Sequence, residues 1–246
     1  MKFSVDDVGA ALHRLFIGVD GTSLRKEDKQ KAQELAPLLD EIARVATKKQ
    51  GVLVDACAGK SALGLLAAAL VLPPAWRVVV VERDVKRIDA AKRAAAQLQH
   101  DVVFVDAAVA EFGEDSDVVC ALHACGRASD DVIDAAVGAN VKHLLLVPCC
   151  YGAHPAKDDE KNIPGQHAAR AFVDRLPRQG LVGRRFAQAV IDAERTLRLE
   201  AGGYDVDVVE FVAASVTPHN LLWRARRSGE PVRMREAAQR RGRLFG

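Results

Sequence analysis

From Gly51 onward the chain alternates short apolar runs with longer helical segments, and this rhythm restricts the possible folds more than any other feature of the sequence. The runs are Val52–Val54, Val78–Val81, Val102–Val105, Val118–Leu122 and Leu144–Val147. Their near-continuous Val and Leu content predicts strands buried on both faces of a parallel sheet. Helical patterns over Ala62–Leu72, Val85–Gln99, about Ala107–Phe112, and Asp130–Gly138 provide the crossovers. Beyond Tyr151 a polar loop runs through Pro164, followed by helical stretches at Gln166–Leu176 and Arg184–Ala201. The runs Val206–Val212 and Leu221–Ala225 are then placed to form an antiparallel hairpin. Five strand–helix units and a late strand pair predict a doubly wound α/β fold, mostly parallel, with helices on both faces of the sheet.

Residues from Val5 to about Gln50 read as helices, with Ala32, Leu35, Ala36, Leu38, Leu39, Ile42, Val45 and Ala46 recurring at three- and four-residue steps. Pro37 is expected to kink that helix or to mark an early turn. The organisation expected is an N-terminal helical extension over residues 1–50, one domain over 51–227 and a basic tail over 228–246. A chain of 246 residues with 49% hydrophobic side chains is enough for one large core. No apolar run approaches 18 residues, and Met1 to Asp7 lacks the basic-then-apolar order of a signal peptide. A soluble, cytoplasmic protein without a membrane partner is expected, and the sequence does not speak to its oligomeric state. Five cysteines, Cys57, Cys120, Cys125, Cys149 and Cys150, form no secreted disulfide framework, and reduced thiols are expected.

In an open α/β sheet, ligands bind at the carboxyl ends of the strands near the topological switch point. The first such end is the turn Asp55-Ala56-Cys57-Ala58-Gly59-Lys60-Ser61. Its small residues let backbone approach a ligand, and a helix opening near Ser61 turns N–H groups and positive dipole toward it. Gly59-Lys60-Ser61 imitates the end of a P-loop, but that loop needs glycine five residues before Gly59, where Val54 stands. A GxGxxG dinucleotide fingerprint is also absent. Val81 leads into Glu82, 27 residues after Asp55, where a carboxylate can accept hydrogen bonds from ribose hydroxyls, and Val105 leads into Asp106. Helix capping is the competing role for both acids.

The fourth and fifth runs end in His123-Ala124-Cys125-Gly126 and Pro148-Cys149-Cys150-Tyr151-Gly152, neighbouring ends in a parallel sheet. His123 can take a proton from an attacking hydroxyl or amine, and Tyr151 can orient or stack on an acceptor base. Core packing is the alternative for both. Convergence of Cys57, Cys125, Cys149, Cys150 and His123 raises a zinc or iron–sulfur site. Adjacent Cys149 and Cys150 would point to opposite faces of a strand, which argues against joint ligation, and no metal is expected. After Trp223 the chain carries eight arginines against Glu230 and Glu236, a net of +6, which leaves −4 for the remainder of a chain whose total is +2. Such an end either neutralises phosphates or is a solvated helix.

The stretch Asp55-Ala56-Cys57-Ala58-Gly59-Lys60, Leu122-His123-Ala124-Cys125-Gly126 with Ser129-Asp130, and Pro148-Cys149-Cys150-Tyr151-Gly152 resemble a methyltransferase-domain family that includes eukaryotic methyltransferase-like proteins. Val216-Thr217-Pro218-His219-Asn220-Leu221-Leu222 looks like that family's entry to its final strand, so the resemblance runs from about Gly51 to Arg226. It implies a Rossmann-like class I methyltransferase fold with a seven-stranded sheet, and S-adenosyl-L-methionine as cofactor. On that reading Asp55, Ala56, Cys57, Ala58, Gly59, Lys60 and Ser61 surround the methionine part. Glu82 and Arg83 then serve the ribose, Asp106 and Ala107 lie near the adenine, and Leu122 and His123 border the site. Cys57 and Ser61 depart from the general glycine loop of such enzymes. The acceptor would enter over His123, Cys149, Cys150 and Tyr151, with His123 the first candidate for its proton.

A related group of tRNA-modifying methyltransferases carries a similar double cysteine after the fifth strand. With the basic tail, and with Arg170, Arg175, Arg178, Arg184 and Arg185 as further phosphate contacts, this points to an RNA acceptor, tRNA or rRNA. The N-terminal helices are candidates for a lid or substrate platform. The alternatives are a small-molecule or protein acceptor, a non-catalytic RNA-binding module with the same fold, and a cysteine-ligated metalloprotein.

Overall fold

Each apolar run becomes one strand of a single seven-stranded sheet because alternate side chains find apolar cover on both faces. The computed structural model describes residues 3–18, 24–107, 116–149, 151 and 180–245. The strands are β1 (Gly51–Ala56), β2 (Trp76–Glu82), β3 (Asp101–Asp106), β4 (Val118–Ala124), β5 (His143–Pro148), β6 (Tyr204–Glu210) and β7 (Leu221–Arg227). Their order is β3-β2-β1-β4-β5-β7-β6, with the first five parallel and β7 antiparallel to both β5 and β6. The order reverses between β1 and β4, so the carboxyl ends of these two strands flank the switch point. The expected Rossmann-like class I sheet is the one observed.

Successive residues serve opposite cores. Leu53, Val78, Val80, Val118, Cys120 and Val147 pack on one face with α3 (Ala62–Leu70) and α4 (Val85–Ala95). Val54, Val81, Val119, Ala121, Leu144 and Leu146 pack on the other with α5 (Ala128–Gly138) and α6 (Gly180–Ala201). The N-terminal helices α1 (Val5–Leu12), a π-helical turn (His13–Ile17) and α2 (Lys26–Val45) join the first core, burying Val8, Leu12, Leu15, Leu35, Leu39 and Ile42 against it. Pro37 lies inside α2 without ending it, contrary to a turn at that point. Leu35, Ala36, Leu38 and Leu39 around it are buried, and their packing offsets a proline cost of about 3 kcal/mol.

The C-terminal residues form α7 (Pro231–Phe245), which lies along α6. The expected helices at about Ala107–Phe112 and at Gln166–Leu176 fall largely or wholly outside the described residues. No helix among the described residues is long and apolar enough to cross a membrane.

Candidate active site

The turn after β1 has a left-handed backbone at three alternate positions, Cys57 (φ 55°), Gly59 (φ 59°) and Ser61 (φ 54°). A non-glycine residue pays about 1–2 kcal/mol for that conformation, so the loop must be held by other bonds. Ala58 N–H donates to the Val81 carbonyl at 3.1 Å and Ser61 N–H to the Ala58 carbonyl at 2.7 Å. Asp55 Oδ2 accepts from the Ser61 hydroxyl at 2.7 Å and from Gly64 N–H at 2.9 Å. A Cβ on Gly64 would sit 2.8 Å from that of Asp55, which is why glycine is needed there. The glycine-type loop path therefore survives with cysteine and serine at two of its positions. Asp55 and Ser61 are turned inward and buried, so their polar atoms lock the turn where a ligand contact was expected. Burial pushes the Asp55 carboxyl up to about 6 against its hydrogen bonds, and it pushes the Cys57 thiol up to about 12, which keeps it protonated.

Glu82 ends β2 and is nearly buried; Asp106, its register partner at the end of β3, is exposed. Glu82 Oε2 accepts from Gly59 N–H at 2.7 Å, while Oε1 accepts from Arg83 and Asp84 N–H, both at 3.0 Å. The carboxylate thus ties the two loops together and keeps one lone pair on Oε2 for a hydroxyl. Arg83 is exposed and Ala107 half-buried beside these acids. Capping of α4 is done by Asp84, whose side chain accepts from Lys86 and Arg87 N–H, and Glu82 is free of that duty.

A cavity of about 410 Å³ lies between this loop and the N-terminal helices. The β1 end and its loop line it with Asp55, Cys57, Ala58, Gly59 and Lys60, the helices with Phe16, Asp28 and Lys31, and β4 with Leu122 and His123. A Cβ on Gly59 would meet nothing within 4 Å, so this side of the loop is open. Carboxylates at two successive strand ends, both signs of charge in the cavity and an open glycine fit S-adenosylmethionine, whose methionine end carries both charges. Bound there, the cofactor supplies an electrophilic methyl group on a sulfonium.

His123 is the extra residue of a bulge: β4 pairs Leu122 with Val147 and Ala124 with Pro148, and the histidine between them has φ 61°. Such a bulge re-aims a side chain at the cost of local strain. The ring turns toward α2, where Nε2 lies 2.9 Å from Glu34 Oε2. Lys31 Nζ is 3.8 Å from the same oxygen, and burial holds that lysine below its ordinary value against the pull of Glu34 and Asp55. Glu34 and Lys31 did not figure in the sequence reading. The available signal was an acid four residues before Leu38, on the buried side of an amphipathic helix.

Cys125 and Cys149 meet in a disulfide, which corrects the expectation of reduced thiols throughout. The parallel ends of β4 and β5 bring their Cα atoms to 5.3 Å, a separation sequence spacing does not reveal. Both sulfurs lie close to the His123 carbonyl oxygen, at 3.3 and 3.5 Å. Cys150 lies outside the described residues. Among the described residues no group of three or more His, Cys, Asp and Glu is placed to hold a metal.

Tyr151 is held by α6, its hydroxyl donating to Asp192 Oδ2 at 3.1 Å and its ring beneath the Arg195 guanidinium at 5.6 Å. Burial raises Tyr151 above the usual phenol range and Asp192 up to about 6. Ser129 and Asp130 are scaffold: Ser129 donates to the Ala124 carbonyl at 2.6 Å, and Asp130 binds the buried Arg195 at 2.9 Å and also Arg198.

The basic tail is largely neutralised by its own fold. Arg224 pairs with Glu41 and Asp207, Arg226 and Arg233 with Asp205, Arg240 with Glu236 and Arg241 with Glu194. Arg227 stacks on Tyr204. Several of these arginines line a larger cavity, about 720 Å³, near His143 and Tyr204. It lies at the amino ends of the parallel strands, away from the edge where such sheets bind ligands, and its charges are already matched. Arg170, Arg175 and Arg178 fall outside the described residues.

Magnesium protoporphyrin IX methyltransferase from Synechocystis, solved with bound SAH, superposes with a TM-score of 0.50 at 13% identity, covering 89% of this chain and 94% of that one. The human Glutathione S-transferase C-terminal domain-containing protein is 26% identical over 210 residues, 78% of this chain. The Drosophila melanogaster homolog is 26% identical over 214 residues, 79% of this chain. The chain spans about a third of the length of these curated relatives, 32% and 36%. A family model described as a methyltransferase domain matches residues 26–154, just over half of the chain and a span that includes α2 as well as the sheet edge. The chain belongs to that methyltransferase-domain family.

Proposed function

We propose that this chain transfers the methyl group of S-adenosylmethionine to an RNA acceptor that enters over His123 and Tyr151. The observation that carries the transfer reading is that one cavity is lined both by the β1 loop and by His123, so donor and acceptor sites adjoin. In this reading Gly59, Lys60 and Lys31 hold the methionine end, Glu82 takes a ribose hydroxyl with its remaining lone pair, and Asp106 faces the adenine. The protein's task is to align the acceptor and to receive its proton. The RNA assignment is supported by the exposed Arg184, Arg185, Arg235 and Arg243, which have no ion-pair partner among the described residues. Phosphate contacts from such residues would make binding salt-dependent.

Calorimetry with S-adenosylmethionine or its demethylated product tests the cofactor, and undetectable binding at millimolar concentration would sink the reading. Incubation of methyl-labelled cofactor with total RNA, protein extract and a metabolite pool tests the acceptor. Label in the RNA fraction supports the assignment; label confined to protein or metabolites overturns it and leaves the methyltransferase intact.

A further inference from the structure

We infer that Glu34 is a positioning residue that sets the tautomer of His123, so that Nδ1 carries the lone pair and the enzyme methylates an acceptor arriving with its proton on nitrogen or oxygen. The inference rests on the methyl-transfer reading for its chemistry and on the following contacts for its geometry. Glu34 is only 4% exposed, and its Oε2 faces His123 Nε2 at 2.9 Å. An ionised carboxylate only accepts hydrogen bonds, so the ring must place its proton on Nε2. Lys31 Nζ lies 3.8 Å from the same oxygen.

The other ring nitrogen gives an independent reason. His123 Nδ1 is buried and, among the described residues, has no hydrogen-bond partner. A proton there would be an orphaned buried donor costing about 1–3 kcal/mol, whereas a bare lone pair is the smaller loss and is left for an N–H or O–H whose entry uncovers the ring. The left-handed bulge at His123 is a local cost that no strand pairing requires, and it delivers the ring to α2.

In the transfer step the acceptor's proton passes to Nδ1, and the acceptor's electron pair forms the new bond to the methyl carbon. The methyl–sulfur bond breaks with its electron pair staying on sulfur, and the demethylated cofactor leaves. The imidazolium formed on His123 faces the negative Glu34 until its proton is lost to water. A carboxylate behind an imidazole base works in the same way in hydrolytic triads.

Nitrogen-15 NMR of histidine-labelled protein decides the tautomer without cofactor or acceptor. Wild type is expected to carry the His123 proton on Nε2, and Glu34→Ala is expected to lose that preference. A proton on Nδ1 in wild type, or an unchanged tautomer in Glu34→Ala, overturns the inference. The isosteric Glu34→Gln, whose folding is checked by thermal melting, is then assayed with labelled S-adenosylmethionine and the fraction that accepts label. A loss of about 10- to 100-fold in kcat with cofactor affinity within about twofold is expected, the scale of removing an orienting partner. Wild-type turnover in Glu34→Gln overturns the inference. Background labelling by wild type counts against the functional reading instead, and the tautomer result still stands or falls by itself.

Discussion

The two halves of the sheet's carboxyl edge are built on opposite principles. On the cofactor side, Asp55 and Glu82 are satisfied by hydroxyl and N–H groups of the very loops they end, all within 30 residues of Asp55. On the acceptor side the groups are held from far along the chain: His123 by Glu34, 89 residues away, and Tyr151 by Asp192, 41 residues away. The four buried side-chain atoms without a partner among the described residues, His123 Nδ1, Asp192 Oδ1, Arg195 Nη1 and Arg198 Nε, all belong to this second half or to the α6 network that supports it. A cofactor site can be closed on itself because its ligand is constant. An acceptor site must keep polar groups uncommitted for a substrate to meet.

The largest test of that contrast is Arg195→Ala. Arg195 is fully buried and is one of two arginines that neutralise Asp130, so its removal leaves that buried carboxylate with Arg198 alone and empties the space beneath Tyr151. A loss of about 3–5 kcal/mol, or a fall of about 10 °C in Tm, is expected by calorimetry. A fall of under about 2 °C would show that the acceptor side does not depend on this distant support.

Next is Glu82→Ala, which removes the tie between the β1 and β2 loops together with the proposed ribose contact. Cofactor affinity is expected to fall about 100-fold by titration calorimetry, the weight of one or two charged hydrogen bonds. A change of less than threefold would separate Glu82 from the cofactor.

Asp55→Asn sharpens the idea of a self-closed loop through pH. Asp55 is raised in the folded state from 3.8 to about 6, so the fold binds its proton more tightly than the unfolded chain does. Its contribution to stability is full below about pH 4 and is lost as pH rises through about 6. Between pH 4 and 7 the wild type should therefore lose about 1–3 kcal/mol more than Asp55→Asn, read from denaturant melts. Parallel stability curves would exclude Asp55 as the titrating group.

Tyr151→Phe removes one hydrogen bond to Asp192 and is expected to cost about 1 kcal/mol, with cofactor affinity unchanged. A cofactor effect would join the two halves that the geometry separates. Arg235→Ala with Arg243→Ala should leave stability within about 0.5 kcal/mol while reducing the salt dependence of RNA binding, measured by filter retention.

The parallel sheet, its polar strand ends and the small-residue turn after β1 were legible in the residues because they are local. Val78 to Val81 can only be a buried strand in this context, and the acids follow such strands directly. Strand limits were read short by one or two residues at several ends, because residues such as Arg77 and Arg227 belong to the ladder by pairing and not by hydrophobicity. The tail's +6 was correctly counted, yet most of it is matched by Glu41, Asp205, Asp207 and Glu194, which lie in other elements.

By itself, then, the sequence determined the class of sheet and the polar residues Asp55, Glu82 and Asp106 that end its strands, since period-two burial and strand-to-loop transitions are properties of neighbouring residues. Only the tertiary structure decided that Asp55 and Ser61 turn inward, that Cys125 meets Cys149 and that an N-terminal helix supplies Glu34 to His123. Those contacts depend on how elements far apart in the chain cross, and burial and charge pairing are settled only there.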